Sequence, residues 1–272
     1  MHEKELIQTV WNHYKKQGRD LPWRHDTTTY RVVVSEIMLQ QTQAQRVVRK
    51  FDSFMKKFPS WESLSVAPLR EVLKEWQGLG YNRRALNLHK ISQIAIKNKG
   101  KLPETYEELL ELPGIGPNTA GSILAFAFNI PHPFIETNIR TVFIHFFFKK
   151  SRGKVHDKKL MPLIESALKN PKNKKNPREW YYALMDYGSF LKQHEINPSR
   201  KSVHHIKQST FKGSNRELRS HILKLIIKSP LQEADIIKSF PDKKSEAIVK
   251  NIADLTKEGF IKLTPTHHYE TL

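Results

Sequence analysis

The chain has 272 residues, no cysteine and a formal net charge of +19 at neutral pH. The lack of cysteine excludes disulfides, thiolate chemistry, cysteine-ligated zinc and iron–sulfur clusters. So strong an excess of Lys and Arg indicates a polyanionic partner, because the N-terminus offers neither a basic amphipathic helix nor a lipidation site for a membrane surface. No apolar run approaches a membrane span and no signal peptide is visible, so we expect an intracellular protein of the cytoplasm or nucleoid.

Apolar residues at helical spacing predict amphipathic helices through the first part of the chain. These helices cover residues 3–17, 30–45, 46–58, 68–76 and 85–97. The helix over 30–45 is apolar on most sides yet carries Glu36 in its middle, where a buried ionised carboxylate would be costly. Glu36 is therefore a candidate acid with a raised pKa. The alternative is a single solvent-facing stripe on this helix that holds Glu36.

The end of this helix is rich in amides. Gln40, Gln41 and Thr42 are expected to continue the same helix. Their side chains are candidates to hydrogen-bond bases or to act as a wedge in a duplex, although an ordinary polar helix end has the same composition.

Residues 78–84 predict a glycine turn with an aromatic side chain and guanidinium groups beside it. Tyr81 is a candidate to stack on a base. Arg83 and Arg84 are candidates to hold phosphates. The turn is therefore a second candidate nucleic-acid contact.

Residues 111–128 predict a hairpin of two helices around a glycine turn. A Thr-x-x-Glu capping box at Thr105 starts the first helix, and Pro117 suits the first position of the second. Gly114 and Gly116 can take positive φ and admit another backbone, so the N–H groups of the turn can face a phosphate, for which DNA is the obvious source. A plain helix end followed by a helix start is the alternative. The candidate DNA contacts here are Leu112, Gly114, Ile115, Gly116, Asn118 and Thr119.

The C-terminal part predicts three short helices followed by a strand. The helices cover 216–228, 231–240 and 245–258, the strand follows within 259–263, and residues 170–177 and 197–214 read as loop and linker. This order resembles a winged helix-turn-helix domain over 215–272, joined by a linker at 206–214. The third helix could recognise DNA bases, or it could serve only for docking or non-specific DNA binding. Both roles stay open, because Glu246, Asp254 and Glu258 reduce the positive charge of its exposed face.

Six motifs follow one another over about residues 6–190. They are Leu21-Pro22-Trp23, 35–42 (SEIMLQQT), Gly78-Leu79-Gly80-Tyr81, Asn87-Leu88-His89, 112–116 (LPGIG) and Ala183-Leu184-Met185-Asp186. In order and spacing they resemble the adenine DNA glycosylases of the MutY type, which belong to the helix-hairpin-helix glycosylase superfamily together with endonuclease III. The resemblance implies an all-α, two-lobed fold, an active site in the cleft between the lobes, and excision of a base as the reaction.

The resemblance also implies a domain layout. Residues 1–205 would form the glycosylase core, with 28–130 as the helical barrel lobe that carries the hairpin and 1–27 plus 131–205 as the second lobe. Typical members continue into a domain that resembles nucleotide-pyrophosphohydrolase folds and reads 8-oxoguanine on the opposite strand. From the length of the chain we expect the winged-helix-like segment in place of that domain.

Residue by residue, the resemblance places the family's catalytic acid at Glu36, a residue that enters the base stack at Gln41 and the aromatic residue next to it at Tyr81. Glu136 falls where the superfamily has an essential Asp, so the charge moves one methylene further from the backbone, and Asn138 matches a nearby Asn. Glu36 would protonate the leaving base, while Glu136 would stabilise the oxocarbenium-like sugar.

A further departure from the family changes the expected cofactor. The family usually supplies four cysteines to an iron–sulfur cluster after Gly188, but residues 189–205 contain none, so no metal or other cofactor is expected. The adjacent pair His204 and His205 reads as a surface feature. Two kinds of contact would take over the structural role of the cluster. One is packing around Phe190 and Leu191, and the other is contact of basic residues with the DNA phosphates; the basic residues include Lys192, Arg200 and Lys201.

Strand cleavage is a separate question, which depends on the residue just after the hairpin. Bifunctional relatives such as endonuclease III use a Lys just after the hairpin as an amine nucleophile, and that position here is Asn118. The sequence therefore predicts a monofunctional DNA glycosylase of base-excision repair without lyase activity. Its partner is double-stranded DNA with a mispaired base, foremost adenine opposite G or 8-oxoguanine, and a monomer is expected. A glycosylase for another damaged or deaminated base and a catalytically inactive DNA-binding protein are the alternatives.

Overall fold

A computed structural model describes residues 2–205 and 210–272. Those residues are helical apart from loops and two short strands, which confirms the predicted all-α class. The helices are α1 (His2–Gln17), α2 (Thr29–Leu39), α3 (Ala44–Lys57), α4 (Trp61–Ser65), α5 (Leu69–Trp76), α6 (Arg83–Lys97), α7 (Tyr106–Leu110), α8 (Pro117–Phe126), α9 (Thr137–Phe148), α10 (Asp157–Lys169), α11 (Pro171–Lys175), α12 (Pro177–His194), α13 (Asn215–Lys228), α14 (Glu233–Lys238) and α15 (Ser245–Lys257). Short 3-10 helices cover Pro22–Arg24 and Pro198–Lys201. None of the described helices combines the length and the apolar character needed to cross a membrane.

The chain forms two compact units. Unit 1 comprises Met1–Gln40 and Lys101–Lys207, and unit 2 comprises Gln41–Gly100 and Gln208–Leu272. This division differs from the predicted lobes, because the hairpin belongs to unit 1 and the C-terminal segment shares unit 2 with residues 41–100. Residues 206–209 of the predicted linker lie outside the described residues.

The core of unit 1 is aromatic and is centred on α12. Trp180 and Tyr181 are fully buried, Trp11 of α1 packs 5.9 Å from Trp180 between ring centroids, and Phe126 stacks on Tyr182 at 4.6 Å. Gly188 allows α12 to approach the start of α9 closely. A Cβ on Gly188 would lie 2.4 Å from the backbone oxygen of Asn138, so only glycine fits this contact.

Backbone hydrogen bonds and the side chain of Lys201 attach the segment 189–205 to the rest of unit 1. Val155 N–H donates to the carbonyl of Lys201 at 2.8 Å, and Val203 N–H donates to the carbonyl of Val155 at 3.1 Å. The ammonium of Lys201 donates to the Phe148 and Ser151 carbonyls at the C-terminal end of α9, at 3.4 and 3.1 Å. A cation at a helix C-terminus is favourable, so Lys201 stabilises the protein's own helix end.

Unit 2 combines α3 to α6 with the C-terminal segment. Phe51, Phe54 and Trp76 are fully buried in it. Arg70 of α5 donates to the Ile227 carbonyl at 2.6 Å and also to the next carbonyl at the end of α13. The C-terminal segment thus packs on residues 41–100 through a capped helix end.

The C-terminal segment contains three helices and two strands. The strands β1 (Ile261–Leu263) and β2 (Tyr269–Thr271) pair antiparallel, with Lys262 opposite Glu270. The second strand was not predicted. The winged helix-turn-helix assignment stays a prediction.

Two other predicted elements differ from the structure. Helix α2 ends at Leu39, and Gln41 has a φ of 54°, so Gln40, Gln41 and Thr42 form a turn and do not extend the helix. The predicted loop over 170–177 contains α11, because the Asn170 side chain accepts from Lys172 N–H at 3.1 Å and caps that helix.

Candidate active site

Glu36 lies on α2 within unit 1, and its carboxyl group is enclosed although the residue keeps partial contact with solvent. Burial raises its pKa from an ordinary 4.5 to about 7; a hydrogen bond from Ser122 opposes the rise, the charge of Glu136 adds to it, and Arg24 opposes it. An ordinary carboxyl group would be only about 0.3% protonated at pH 7, whereas Glu36 is about half protonated there. Glu36 can therefore donate a proton at neutral pH.

Tyr182 and Arg24 form the surroundings of Glu36. The Arg24 guanidinium lies 4.3 Å from the centroid of the Tyr182 ring. Burial raises the pKa of the Tyr182 hydroxyl, and the charge of Glu36 raises it further. Tyr182 thus stays neutral at physiological pH and lends an apolar, polarisable wall to the site.

Asp186 holds Arg24 in place. Its fully buried carboxylate accepts from both terminal nitrogens of Arg24, at 2.9 and 2.8 Å, and from Nε and the backbone N–H of Arg19, at 2.6 and 2.8 Å. Burial by itself would raise the pKa of Asp186, but the hydrogen bond and charge of Arg24 outweigh it and lower the pKa. Removing one partner of such a buried pair typically costs about 3–5 kcal/mol, so this cluster is a rigid support.

Glu136 is the N-cap of α9. Its Oε1 accepts from the backbone N–H groups of Asn138 and Ile139 at 2.7 and 3.0 Å, and its Oε2 accepts from Asn138 Nδ2 at 3.3 Å. The carboxylate is therefore held in one orientation by donors at a helix start.

Two side chains anchor this helix start. Asn118 Oδ1 accepts from Ile135 N–H at 3.4 Å, and Lys192 Nζ donates to Asn138 Oδ1 at 2.6 Å. Burial lowers the pKa of Lys192, while the nearby charge of Glu136 opposes that effect.

The hairpin consists of α7, a turn and α8. Gly114 has a φ of 78°, as the turn requires, whereas Gly116 is extended, with φ −100° and ψ 178°. The expectation of positive φ thus holds for Gly114 alone. Leu112 and Ile115 are buried, and their backbone N–H groups donate within the hairpin to the Leu109 and Leu112 carbonyls, at 3.2 and 3.1 Å. Neither residue therefore has an unoccupied donor in this structure to offer a phosphate.

Gln40 joins α2 to the hairpin. Its Nε2 donates to the Gly114 carbonyl at 3.2 Å and to Thr119 Oγ1 at 3.1 Å. The side chains of Gln40 and Thr119, both predicted as DNA contacts, are therefore engaged in bracing the hairpin turn.

In unit 2, Gln41 and Tyr81 are exposed residues with left-handed backbones, at φ 54° and 48°. Arg84 ties their two turns together. Its buried guanidinium donates to Thr42 Oγ1 at 3.0 Å and to the Gly80 carbonyl at 2.9 Å. Arg84, which was predicted to hold a phosphate, therefore supports the turns of Gln41 and Tyr81 from within.

Basic residues also flank Tyr81 on the surface of unit 2. Arg216 of α13 donates to the Tyr81 hydroxyl at 3.0 Å. Arg83 pairs with Glu258 at 2.6 Å and keeps most of its side chain in solvent.

The structure brings Glu36, Glu136 and Asn138 together in unit 1, whereas Gln41 and Tyr81 lie in unit 2. The sequence did not indicate which residues support the two carboxylates, and it predicted a phosphate contact for one of them, Lys192. These residues are Arg24, Ser122, Tyr182, Asp186 and Lys192. The sequence held one signal for two of them: Arg24 directly follows the motif Leu21-Pro22-Trp23, and Asp186 is the last residue of the motif Ala183-Leu184-Met185-Asp186.

No group of three or more His, Cys, Asp or Glu side chains in residues 2–205 and 210–272 is arranged to hold a metal ion. A chain without cysteine offers no thiolate, so its residues do not fit an iron–sulfur cluster. His204 instead lies 3.7 Å from Asp157 Oδ2.

Comparison with known proteins places this geometry in a family. Residues 34–169 match the family model described as "HhH-GPD superfamily base excision DNA repair protein". The adenine DNA glycosylase of Buchnera aphidicola subsp. Baizongia pistaciae is 39% identical over 189 residues, which are 68% of this chain and 52% of the relative. The human adenine DNA glycosylase is 37% identical over 139 residues, covering 47% of this chain and 26% of the relative. The resemblance to the adenine enzymes is thereby confirmed, and the chain spans about half the length of the first of these curated relatives.

Solved structures support the same fold. A thermostable thymine-DNA glycosylase aligns with a TM-score of 0.61 at 27% identity, covering 69% of this chain and 86% of that one. An endonuclease III in a non-covalent complex with DNA aligns with a TM-score of 0.53 at 17% identity, covering 70% of this chain and 85% of that one. The second likeness bears on the fold alone.

Proposed function

The chain belongs to the HhH-GPD superfamily of base excision DNA repair proteins, and from this membership we propose that it hydrolyses the N-glycosidic bond of a mispaired adenine in double-stranded DNA. The opposite base in this proposal is G or 8-oxoguanine, and the enzyme acts as a monomer. The observation that carries the proposal is Glu36, an enclosed carboxyl group with a pKa of about 7 that interacts with the fixed carboxylate of Glu136.

In the proposed reaction the two carboxyl groups divide the work. The target nucleotide first leaves the base stack, at a cost of a few kcal/mol. Glu36 then donates its proton to the adenine ring as the bond between the base and C1′ breaks, and the bond electrons leave with the neutral base. The positive charge on the sugar is stabilised by Glu136. A water molecule then adds to C1′ and passes a proton to the ionised Glu36, which restores the acid.

Binding in this proposal relies on backbone donors and on exposed side chains. The N–H groups of the hairpin turn at Gly114 and Gly116 and the start of α8 suit a phosphate. Gln41 and Tyr81, presented by strained turns, suit insertion beside the extruded nucleotide. The net charge of +19 supports strong non-specific attraction to DNA.

Base release without strand cleavage is part of the proposal. The position after the hairpin holds Asn118, whose amide cannot form a Schiff base and whose Oδ1 accepts from Ile135 N–H. Strand breaks are therefore expected only after alkali treatment.

A panel of duplexes tests the proposal under single-turnover conditions. The target strand carries A, T, U, hypoxanthine or an oxidised base opposite each partner, and Glu36→Gln serves as the matched control. We expect release of adenine by the wild-type protein, no release by Glu36→Gln with DNA binding retained, and no adduct after borohydride treatment. Preferred release of another base would reassign the substrate, and binding without release on every duplex would support an inactive DNA-binding protein.

A further inference from the structure

Lys192 is connected to the Glu136 carboxylate through a single amide. Its Nζ donates to Asn138 Oδ1 at 2.6 Å, and Asn138 Nδ2 donates to Glu136 Oε2 at 3.3 Å. Lys192 lies in the segment 189–205, where the sequence predicted phosphate contacts for basic residues. Its ammonium points instead at the start of α9.

The close approach of two helices makes this contact possible. Gly188 and Lys192 are four residues apart on α12 and therefore share one helix face. Because Gly188 has no Cβ, α12 lies against the Asn138 backbone, where any side chain would collide. One turn later, the Lys192 side chain reaches the Asn138 amide.

The chemistry of the three groups dictates the orientation of the amide. An ammonium group has only donors and an ionised carboxylate has only acceptors. An amide between them satisfies both in one orientation, with its oxygen towards Lys192 and its nitrogen towards Glu136. If the ammonium were lost, the amide could rotate and turn its oxygen towards the carboxylate, which would be repulsive.

The charges around Lys192 fit this role. The site is partly buried, which disfavours an ammonium, and Arg19 and Arg140 add repulsion, whereas Glu136 supplies the compensating negative charge. Arg140 is itself paired with Asp157 at 2.7 Å, which partly offsets its charge, whereas Arg19 shares the single carboxylate of Asp186 with Arg24.

We propose that Lys192 is a positioning residue for base excision, which fixes the Asn138 amide and thereby holds the Glu136 carboxylate against the sugar. This inference rests on the proposed glycosylase function. It goes beyond that function because it assigns the placement of Glu136 to a residue outside the reacting groups.

Kinetics of full-length variants provide the first test. Lys192→Met keeps the length of the side chain and removes its charge and donors, Lys192→Arg keeps both, and Lys149→Met removes an exposed charge from unit 1 as a matched control. At saturating enzyme, Lys192→Met should release adenine at least about tenfold more slowly, because small misplacements of reacting groups have such effects. Lys192→Arg should recover most of the rate, and DNA affinity should match that of Lys149→Met. An unchanged rate with weakened affinity would make Lys192 a phosphate contact and overturn the inference.

Coupling to Asn138 provides the second test. Lys192→Met in an Asn138→Ala background should slow the reaction no further, since both changes remove the same support. Additive losses would mean that Lys192 acts independently of Asn138, contrary to the inference.

The substrate-free protein provides a readout that does not depend on activity. The side-chain NH₂ signals of Asn138, assigned by their loss in Asn138→Ala, should shift in Lys192→Met and stay in place in Lys149→Met. Unshifted signals would refute the positioning role even if the enzyme were active. A wild-type protein that releases no base would refute the proposed function, while the NMR comparison would still decide whether Lys192 orients the amide.

Discussion

At the scale of single residues, the proposed chemistry depends on giving two carboxyl groups different surroundings. Glu36 is enclosed, which raises its pKa, while Glu136 is held in place by hydrogen bonds from two backbone N–H groups at a helix start. The same residue type can therefore supply the acid and the electrostatic stabiliser.

The pH dependence of base release should report the protonation of Glu36. Its pKa is about 7, and the protonated form is the proposed acid, so activity is present below that value and lost above it. The single-turnover rate at saturating enzyme should be level at lower pH and fall about tenfold per unit above pH 7. Glu136→Gln should shift the midpoint downwards, because it removes the negative charge that helps to raise the pKa of Glu36. A rate that is level through pH 8.5 would exclude Glu36 as the proton donor.

Changes at Glu136 should separate its electrostatic role from its capping role. Glu136→Asp keeps a good N-cap but withdraws the carboxylate by one methylene, so Asn138 Nδ2, now 3.3 Å from Oε2, would be left short of it. We expect the fold to be kept and the rate to fall, because charge stabilisation depends on sub-ångström placement. Thermal unfolding and single-turnover rates measure the two effects. Glu136→Gln should slow the release of every base, and wild-type rates in Glu136→Gln would contradict the assigned role.

At the scale of secondary structure, the sequence predicted helices whose apolar residues repeat regularly, and failed where tertiary contacts set the boundaries. Helices α1, α3, α5 and α6 begin and end within two residues of their predicted bounds. No Gly or Pro lies within 29–45, so the end of α2 had no local signal. That end depends on Gln40 bonding to the hairpin and Thr42 to Arg84, partners far away in sequence.

The hairpin turn offers a comparison between two glycines. Gly116 has an extended backbone and open space where a Cβ would lie, so Gly116→Ala should leave the fold and thermal stability unchanged. If a phosphate backbone approaches this turn, the added methyl group should weaken DNA binding. Gly114→Ala should also destabilise the protein, because φ is 78° there and alanine pays about 1–2 kcal/mol for a left-handed backbone. Circular dichroism melts and binding to an uncleavable duplex distinguish the two effects. Wild-type affinity in Gly116→Ala would remove this turn from the proposed DNA interface.

At the scale of the whole chain, the limits of prediction are those of long-range contact. Glu36 and Glu136 were identified from their own residue types and the resemblance. Their supports come from elsewhere in the chain: Arg24 precedes α2, and Tyr182, Asp186 and Lys192 lie on α12. Nothing in local periodicity links Arg24 to Asp186 or Lys192 to Asn138, because those pairs form only when the helices pack.

The C-terminal segment should influence DNA affinity more than chemistry, because it reaches the Tyr81 turn through Arg216, which donates to the Tyr81 hydroxyl at 3.0 Å. Deleting the segment would also remove the contacts of Arg70 with the end of α13, so a point variant in the full chain is the cleaner test. Arg216→Ala should weaken DNA binding and reduce the slope of log K against log salt concentration by about one, as expected for the loss of one phosphate contact. The rate of base release at saturating enzyme should stay near that of the wild type. Lys228→Ala, on the same helix, removes one charge as a control. A rate that falls with unchanged affinity would show that the segment acts on base extrusion through Tyr81, since a group that only binds phosphate contributes nothing once the DNA is fully bound.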